Sequence, residues 1–93
     1  MTLKIFKYPL RVRTENAISA PIVQPLHVDF QYGAANLWAL VDTDAPDKLY
    51  KVLCYGTGHQ AQFDITTTKY LNTTIIKDGR LVFHWFIRLP KEG

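Results

Sequence analysis

The chain has 93 residues, 47% of them hydrophobic, and a net charge of +3, which allows one domain (residues 1–93) and argues against disorder over most of its length. A single cysteine, Cys54, excludes an internal disulfide and fits a reducing cytoplasm. No apolar run approaches the about 20 residues of a membrane-spanning helix, and MTLKIFKYPLRVR lacks the pattern of a signal peptide.

In chain order, Leu3–Tyr8 alternates into a first strand ended by Pro9, and Leu10–Arg13 reads as an edge continuation with Leu10 and Val12 inward. Glu15–Gln24 reads as an irregular extended connection, because Pro21 and Pro25 interrupt helix and central strand alike; Ile18, Ile22 and Val23 are its core contacts. Leu26–Tyr32 alternates cleanly, with Leu26, Val28, Phe30 and Tyr32 on one face and His27, Asp29 and Gln31 on the other, before Gly33 turns the chain. Leu37–Val41 follows at hairpin distance and reads as its antiparallel partner, with a short helix as the alternative.

Asp42–Asp47 is a turn whose Asp-Ala-Pro-Asp part could also open a helix. Leu49–Tyr55 is apolar and short enough for a strand, so residues 45–53 stay open between strand and helix, with strand favoured. Gly56–Thr68 is a polar loop with Phe63 and Ile65 as anchors. Tyr70–Ile76 and Leu81–Leu89 flank Lys77-Asp78-Gly79-Arg80, where Asp-Gly predicts a two-residue hairpin with positive φ at both central positions. The last strand is apolar on both faces, as a central or sandwiched strand is, and Pro90 with the charged tail ends the domain. The sum is six to seven short strands and no helix, an all-β, mainly antiparallel fold: a small β-sandwich or open barrel.

KYPL at Lys7–Leu10, LHVDFQ at Leu26–Gln31, LWALVD followed by AP over Leu37–Pro46, GTGH at Gly56–His59 and HWF at His84–Phe86 occur in this order. Together they resemble a family of small uncharacterised bacteriophage and prophage proteins. The resemblance implies a phage-encoded accessory protein in the host cytoplasm. It implies no catalytic residue.

Gly56, Thr57, Gly58 and His59 form the candidate ligand or partner site. Two glycines let a backbone turn present its N–H groups to an anion, and the hydroxyl and imidazole add hydrogen-bonding groups. The lysine of a nucleoside-triphosphate loop is missing, as are the extra glycine and helix of a dinucleotide fingerprint. A tight structural turn is the plainer reading.

His27, His59 and His84 share no ligand spacing, so no metal is expected. Cys54 sits in an apolar strand and reads as an inert buried thiol rather than a nucleophile. Asp42, Asp44 and Asp47 read as a solvated turn. Trp38, Trp85, Phe83, Phe86, Tyr50 and Tyr55 could stack on bases, but a domain this small needs most of them in its core, which disfavours nucleic acid as a partner. The bases are scattered, and the densest cluster, Lys4, Lys7, Arg11 and Arg13, reads as solvated strand faces before a binding patch.

The expected function is therefore non-enzymatic inhibition of a host antiviral defence system (anti-CRISPR or similar) by protein–protein binding, without cofactor. The alternative is a nucleotide-signal-binding, sequestering protein that uses the GTGH loop. Host defence proteins are the expected partners, no membrane is involved, and exposed sheet edges allow a homodimer.

Overall fold

A computed structural model describes residues 1–90; the charged tail at 91–93 lies outside the described residues. Seven strands follow one another: β1 (Leu3–Leu10), β2 (Glu15–Ala20), β3 (Ile22–Gln31), β4 (Ala34–Asp42), β5 (Lys48–Gly56), β6 (Thr68–Ile76) and β7 (Leu81–Arg88). They form two antiparallel sheets, ordered β1-β4-β3 and β2-β5-β7-β6. The thinnest dimension of the Cα trace is 15 Å, as two sheets packed about 10 Å apart require. No helix among the described residues is long and apolar enough to cross a membrane.

The core lies between the sheets. Leu37, Ala39 and Val41 of β4 face Val52 and Cys54 of β5 and Trp85 and Ile87 of β7, with Val28, Ile18 and Ala20 closing the sides. Trp85 is wholly buried, and its indole N–H donates to Thr74 Oγ1 at 2.9 Å, so the largest core side chain leaves no unpaired donor.

Two segments depart from their expected limits: β1 runs through Pro9 but stops at Leu10, so Arg11–Arg13 is a link and not an edge continuation. Pro9 lies inside β1, on an edge strand where the missing N–H costs no ladder bond. The segment expected as an irregular connection is β2 followed by the start of β3: Asn16, Ile18 and Ala20 are buried in strict alternation, and Pro21 is the corner at which the chain leaves one sheet for the other. Small and polar residues there mask the period-2 signal, and the prolines mark a corner and an edge rather than a loop. Val23 is exposed, not a core contact, and so is Val12.

β3 departs from simple alternation. Register shifts at Ile22/Gln24 and Pro25/His27 insert bulges, which turn Leu26 out to solvent while Val28 and Phe30 stay inward. Tyr32 is not a strand residue: with φ 52° it occupies a tight two-residue turn with Gly33 and is 98% exposed. Trp38, expected in the core, is half-buried on the outer face of its sheet. Residues 48–56 are strand throughout, which excludes the helical alternative for 45–53. Leu37–Val41 is strand as well, within β4.

The Asp-Gly turn forms with positive φ at both central positions, but Lys77 is left-handed too (φ 54°) and the ladder closes at Ile76–Leu81, so the connection spans four residues rather than two. Asp78 and Gly79 have φ 56° and 87°, and the Arg80 N–H donates to the Lys77 carbonyl at 3.1 Å. Leu81–Arg88 is a central strand, buried on its inner face at Trp85 and Ile87 and half-buried on its outer one. On its outer side Phe86 meets Phe63 at 4.8 Å between ring centroids, and Tyr55 and Tyr70 complete an aromatic cluster. Phe63 thus pins the long 57–67 loop over this sheet, and Leu53, paired with Phe86 across the ladder, is only 2% exposed. Ile65, the other expected anchor, is exposed.

Both seams between the sheets are fastened by an asparagine acting as a substitute strand. The half-buried Asn72, at the β6 bulge, accepts from Val28 N–H at 2.8 Å and donates to Val28 O at 2.7 Å, joining β6 to β3. Asn16, itself buried, does the same with Arg11 N–H and O, both at 2.9 Å, joining β2 to the end of β1. A side-chain amide has the same donor and acceptor as a peptide group, so each replaces one rung of a ladder.

Candidate functional site

The direction of the strands sorts the connections into two ends. Leu10 pairs with Ala35, Gln31 with Ala34, Gly56 with Phe83 and Ile76 with Leu81. The 11–14 link, the Tyr32-Gly33 turn, Gly56–His59 and Lys77–Arg80 therefore share one end of the molecule. The Asp42–Asp47 turn and Pro21 share the other, where Asp42 N–H donates to Pro21 O. The nine residues of β5 hold Asp47 and Gly56 about 30 Å apart, so the acidic turn and the glycine turn are separate surfaces.

Gly56–His59 is a tight turn. The His59 N–H donates to the Gly56 carbonyl at 3.1 Å and Gly58 has φ 87°, the left-handed conformation that a type II turn needs at its third position and glycine supplies without strain. Gly56 has a different role. A Cβ there would lie 2.9 Å from the His59 ring, so the missing side chain is what lets the imidazole fold back over the backbone.

From this turn a chain of polar groups runs across the outer face of the sheet. Thr57 Oγ1 meets His84 Nε2 at 2.7 Å, His84 Nδ1 meets Thr73 Oγ1 at 2.9 Å, and Thr73 Oγ1 meets the Tyr70 hydroxyl at 2.8 Å. Hydroxyls donate or accept, so both ring nitrogens are satisfied in either tautomer. His84 is thus bonded through both ring nitrogens, and it orients the Thr57 side chain of the turn.

Gly56, Thr57 and His59 also line a cleft of about 240 Å3 together with Arg80, Leu81, Val82 and Phe83. No carboxylate lines it, and Arg80 takes part in no ion pair among the described residues. Sequence reasoning missed Arg80. Its position beside the GTGH turn follows from the β5–β7 register, which no local pattern states.

The other singled-out side chains do not gather here. His27 lies on the outer face of the opposite sheet, 4.0 Å from Asp29. Among the described residues no three His, Cys, Asp or Glu side chains are placed to hold a metal ion. Cys54 pairs with Trp85 on the inner face, whereas His84 pairs with Tyr55 on the outer one, so strand alternation keeps thiol and imidazole on opposite sides of the sheet. Burial pushes the Cys54 thiol up to about 11, which leaves little thiolate near neutrality. Asp42 and Asp44 are used locally: Asp42 Oδ1 accepts from the N–H groups of Thr2 and Asp44, and Asp44 Oδ2 lies 3.4 Å from the N-terminal ammonium.

A protein-family model described as Domain of unknown function (DUF7352) matches residues 1–92. No curated protein and no solved structure matches the chain.

Proposed function

The chain belongs to this family of domains of unknown function, and from that premise we propose that it is a non-enzymatic, phage-encoded accessory protein that inhibits a host antiviral defence system, of the anti-CRISPR kind or similar, by binding a defence protein in the host cytoplasm. The phage assignment rests on the motif order KYPL, LHVDFQ, LWALVD with AP, GTGH and HWF. The binding assignment rests on one structural observation: four connections converge on one end of a rigid two-sheet scaffold, and they carry Tyr32, Gly56–His59, Arg11, Arg13, Lys77 and Arg80. None of those four basic residues forms an ion pair among the described residues. Such an end suits an acidic protein surface. Tyr32, almost fully exposed, is an amphipathic anchor of the type that interfaces favour.

Affinity capture from phage-sensitive cells, with mass spectrometry of what is retained, tests the reading. The expected result is one defence protein, retained by the native chain and lost with Tyr32→Ser and Gly58→Val. A chain that captures no defence component and leaves phage growth unchanged in defence-carrying hosts would overturn it. The second reading, sequestration of a nucleotide signal, is favoured by the Arg80 cleft at the same turn.

A further inference from the structure

The cleft beside the GTGH turn has the size and chemistry of a site for one phosphate group. We propose that it binds the phosphate of a small phosphomonoester, a nucleoside monophosphate being the type, with Arg80 as the charge partner. The proposal deepens the ligand-binding reading and rests on it. At about 240 Å3 the space falls below the range of about 300–1,000 Å3 that takes a whole drug-sized ligand. It suits a phosphate and part of a sugar.

The lining joins three residues with polar side chains, Thr57, His59 and Arg80, to the apolar Leu81, Val82 and Phe83. Arg80 presents a planar fork of donors that matches phosphate oxygens two at a time. It has no carboxylate in the cleft to neutralise it and no side-chain ion pair among the described residues.

The fold sets where these residues stand. Arg80 sits one residue before β7 and ends a turn closed by its own N–H. Thr57 is held by His84 Nε2, which Thr73 holds in turn from the next strand. His59 folds over Gly56, where a Cβ would collide with its ring. The three polar residues therefore come from two separate connections that the β5–β7 pairing brings together.

Two-dimensional 15N–1H NMR titrations with inorganic phosphate, 5′-AMP and adenosine test this. Saturable shifts of the Thr57–His59 and Arg80 amides with phosphate or 5′-AMP, and none with adenosine, are expected. Tighter binding of 5′-AMP than of phosphate adds a nucleoside contact with the apolar lining residues; equal affinity assigns the cleft to the phosphate alone, and either supports the site.

Arg80→Gln is expected to weaken binding about tenfold or more, the usual loss when a charged hydrogen-bond donor is removed. Lys77→Gln, in the same hairpin but outside the cleft, is expected to leave it within about twofold. Neither side chain makes a structural bond among the described residues, so the spectrum of each variant reports an intact fold. Absence of saturable shifts with both phosphate and 5′-AMP, equal losses in the two variants, or adenosine binding as well as 5′-AMP would each overturn the proposal. Capture of a defence protein by a chain that ignores phosphate would overturn this site while leaving the protein-binding reading standing.

Discussion

The side chains that decide this molecule's integrity are small and polar. Asn72 and Asn16 each replace a backbone rung across a gap between sheets. Asn72→Ala leaves the N–H and C=O of the wholly buried Val28 unpaired, and is expected to cost about 1–3 kcal/mol in chemical denaturation, with faster hydrogen exchange at the Val28 amide. A loss equal to that of an exposed Asn→Ala control would show that the seam does not depend on it. Tyr32 presents the opposite case: its φ of 52° strains any side chain with a Cβ except Asn or Asp. Tyr32→Asn is therefore expected to raise stability by about 1 kcal/mol while weakening capture of a protein partner, a stability–function opposition that a purely structural turn residue would not show.

The titrating core groups act in one direction. Burial raises Cys54 to about 11, raises Tyr50, and is the larger cause of the rise at Tyr8, with Asp47 adding to it. All three favour the neutral form in the folded state. Their contribution is fully present below the unfolded pKa values, near pH 9 for the thiol, and is lost as pH rises through the folded values. The denaturation midpoint is expected to stay level from pH 7 to about 8.5 and to fall between about pH 9 and 11; Cys54→Ala is expected to flatten the first part of that fall. A midpoint unchanged up to pH 11 would contradict the burial of these groups.

At the scale of elements, the hairpin between β6 and β7 was legible because Asp-Gly is a local instruction: two residues that tolerate positive φ, flanked by apolar runs. β4 and β5 were legible for the same local reason, apolar runs of strand length. β2 was not, since Asn16, Ser19 and Ala20 carry no strand signal and its alternation emerges only when Ile18 and Ala20 meet the core. The inward set of β3 was half legible, because its bulges answer to the neighbouring strand and not to its own sequence.

The 57–67 loop is held to its sheet by one ring. Phe63→Ala is expected to cost about 1–2 kcal/mol for a half-buried aromatic and to open the loop to limited proteolysis ahead of global unfolding; unchanged cleavage would mean that Asp64, which accepts from Thr66 N–H and Oγ1, is sufficient to hold it. The lower half of β1 is the element most open to pairing with a second copy, as Leu3, Ile5 and Phe6 are all exposed on an edge strand. If a homodimer forms there, Ile5→Lys is expected to convert it to monomer in sedimentation while leaving the thermal midpoint of the monomer unchanged.

For the molecule as a whole, the two ends differ in charge as well as in shape. Arg11, Arg13, Lys77 and Arg80 stand at the turn-rich end with Asp78 as the one acid of its turns, and Asp42, Asp44 and Asp47 at the other beside Lys48. A modest net charge of +3 conceals this separation, because composition sums over positions that the fold keeps apart. Association with an acidic partner through the turn-rich end is expected to slow as salt rises from about 50 to 200 mM, mainly through the on-rate; an on-rate indifferent to salt would argue that the basic residues take no part.

The sequence by itself determined the all-β class, the turns at Gly33, Asp42–Asp47, Gly56–His59 and Asp78-Gly79 and the buried fate of Cys54, because hydrophobic period, proline, glycine and strand length act over a few neighbouring residues. Only the tertiary structure decided that Pro21 is a corner between sheets, that Asn16 and Asn72 close the seams, that Trp38 faces outward while Trp85 is enclosed, and that Arg80 stands beside Gly56, Thr57 and His59. Those facts depend on which strands pair and in what register. Register is set by the burial of two whole faces at once, a property of the packed sheets that no stretch of the chain contains alone.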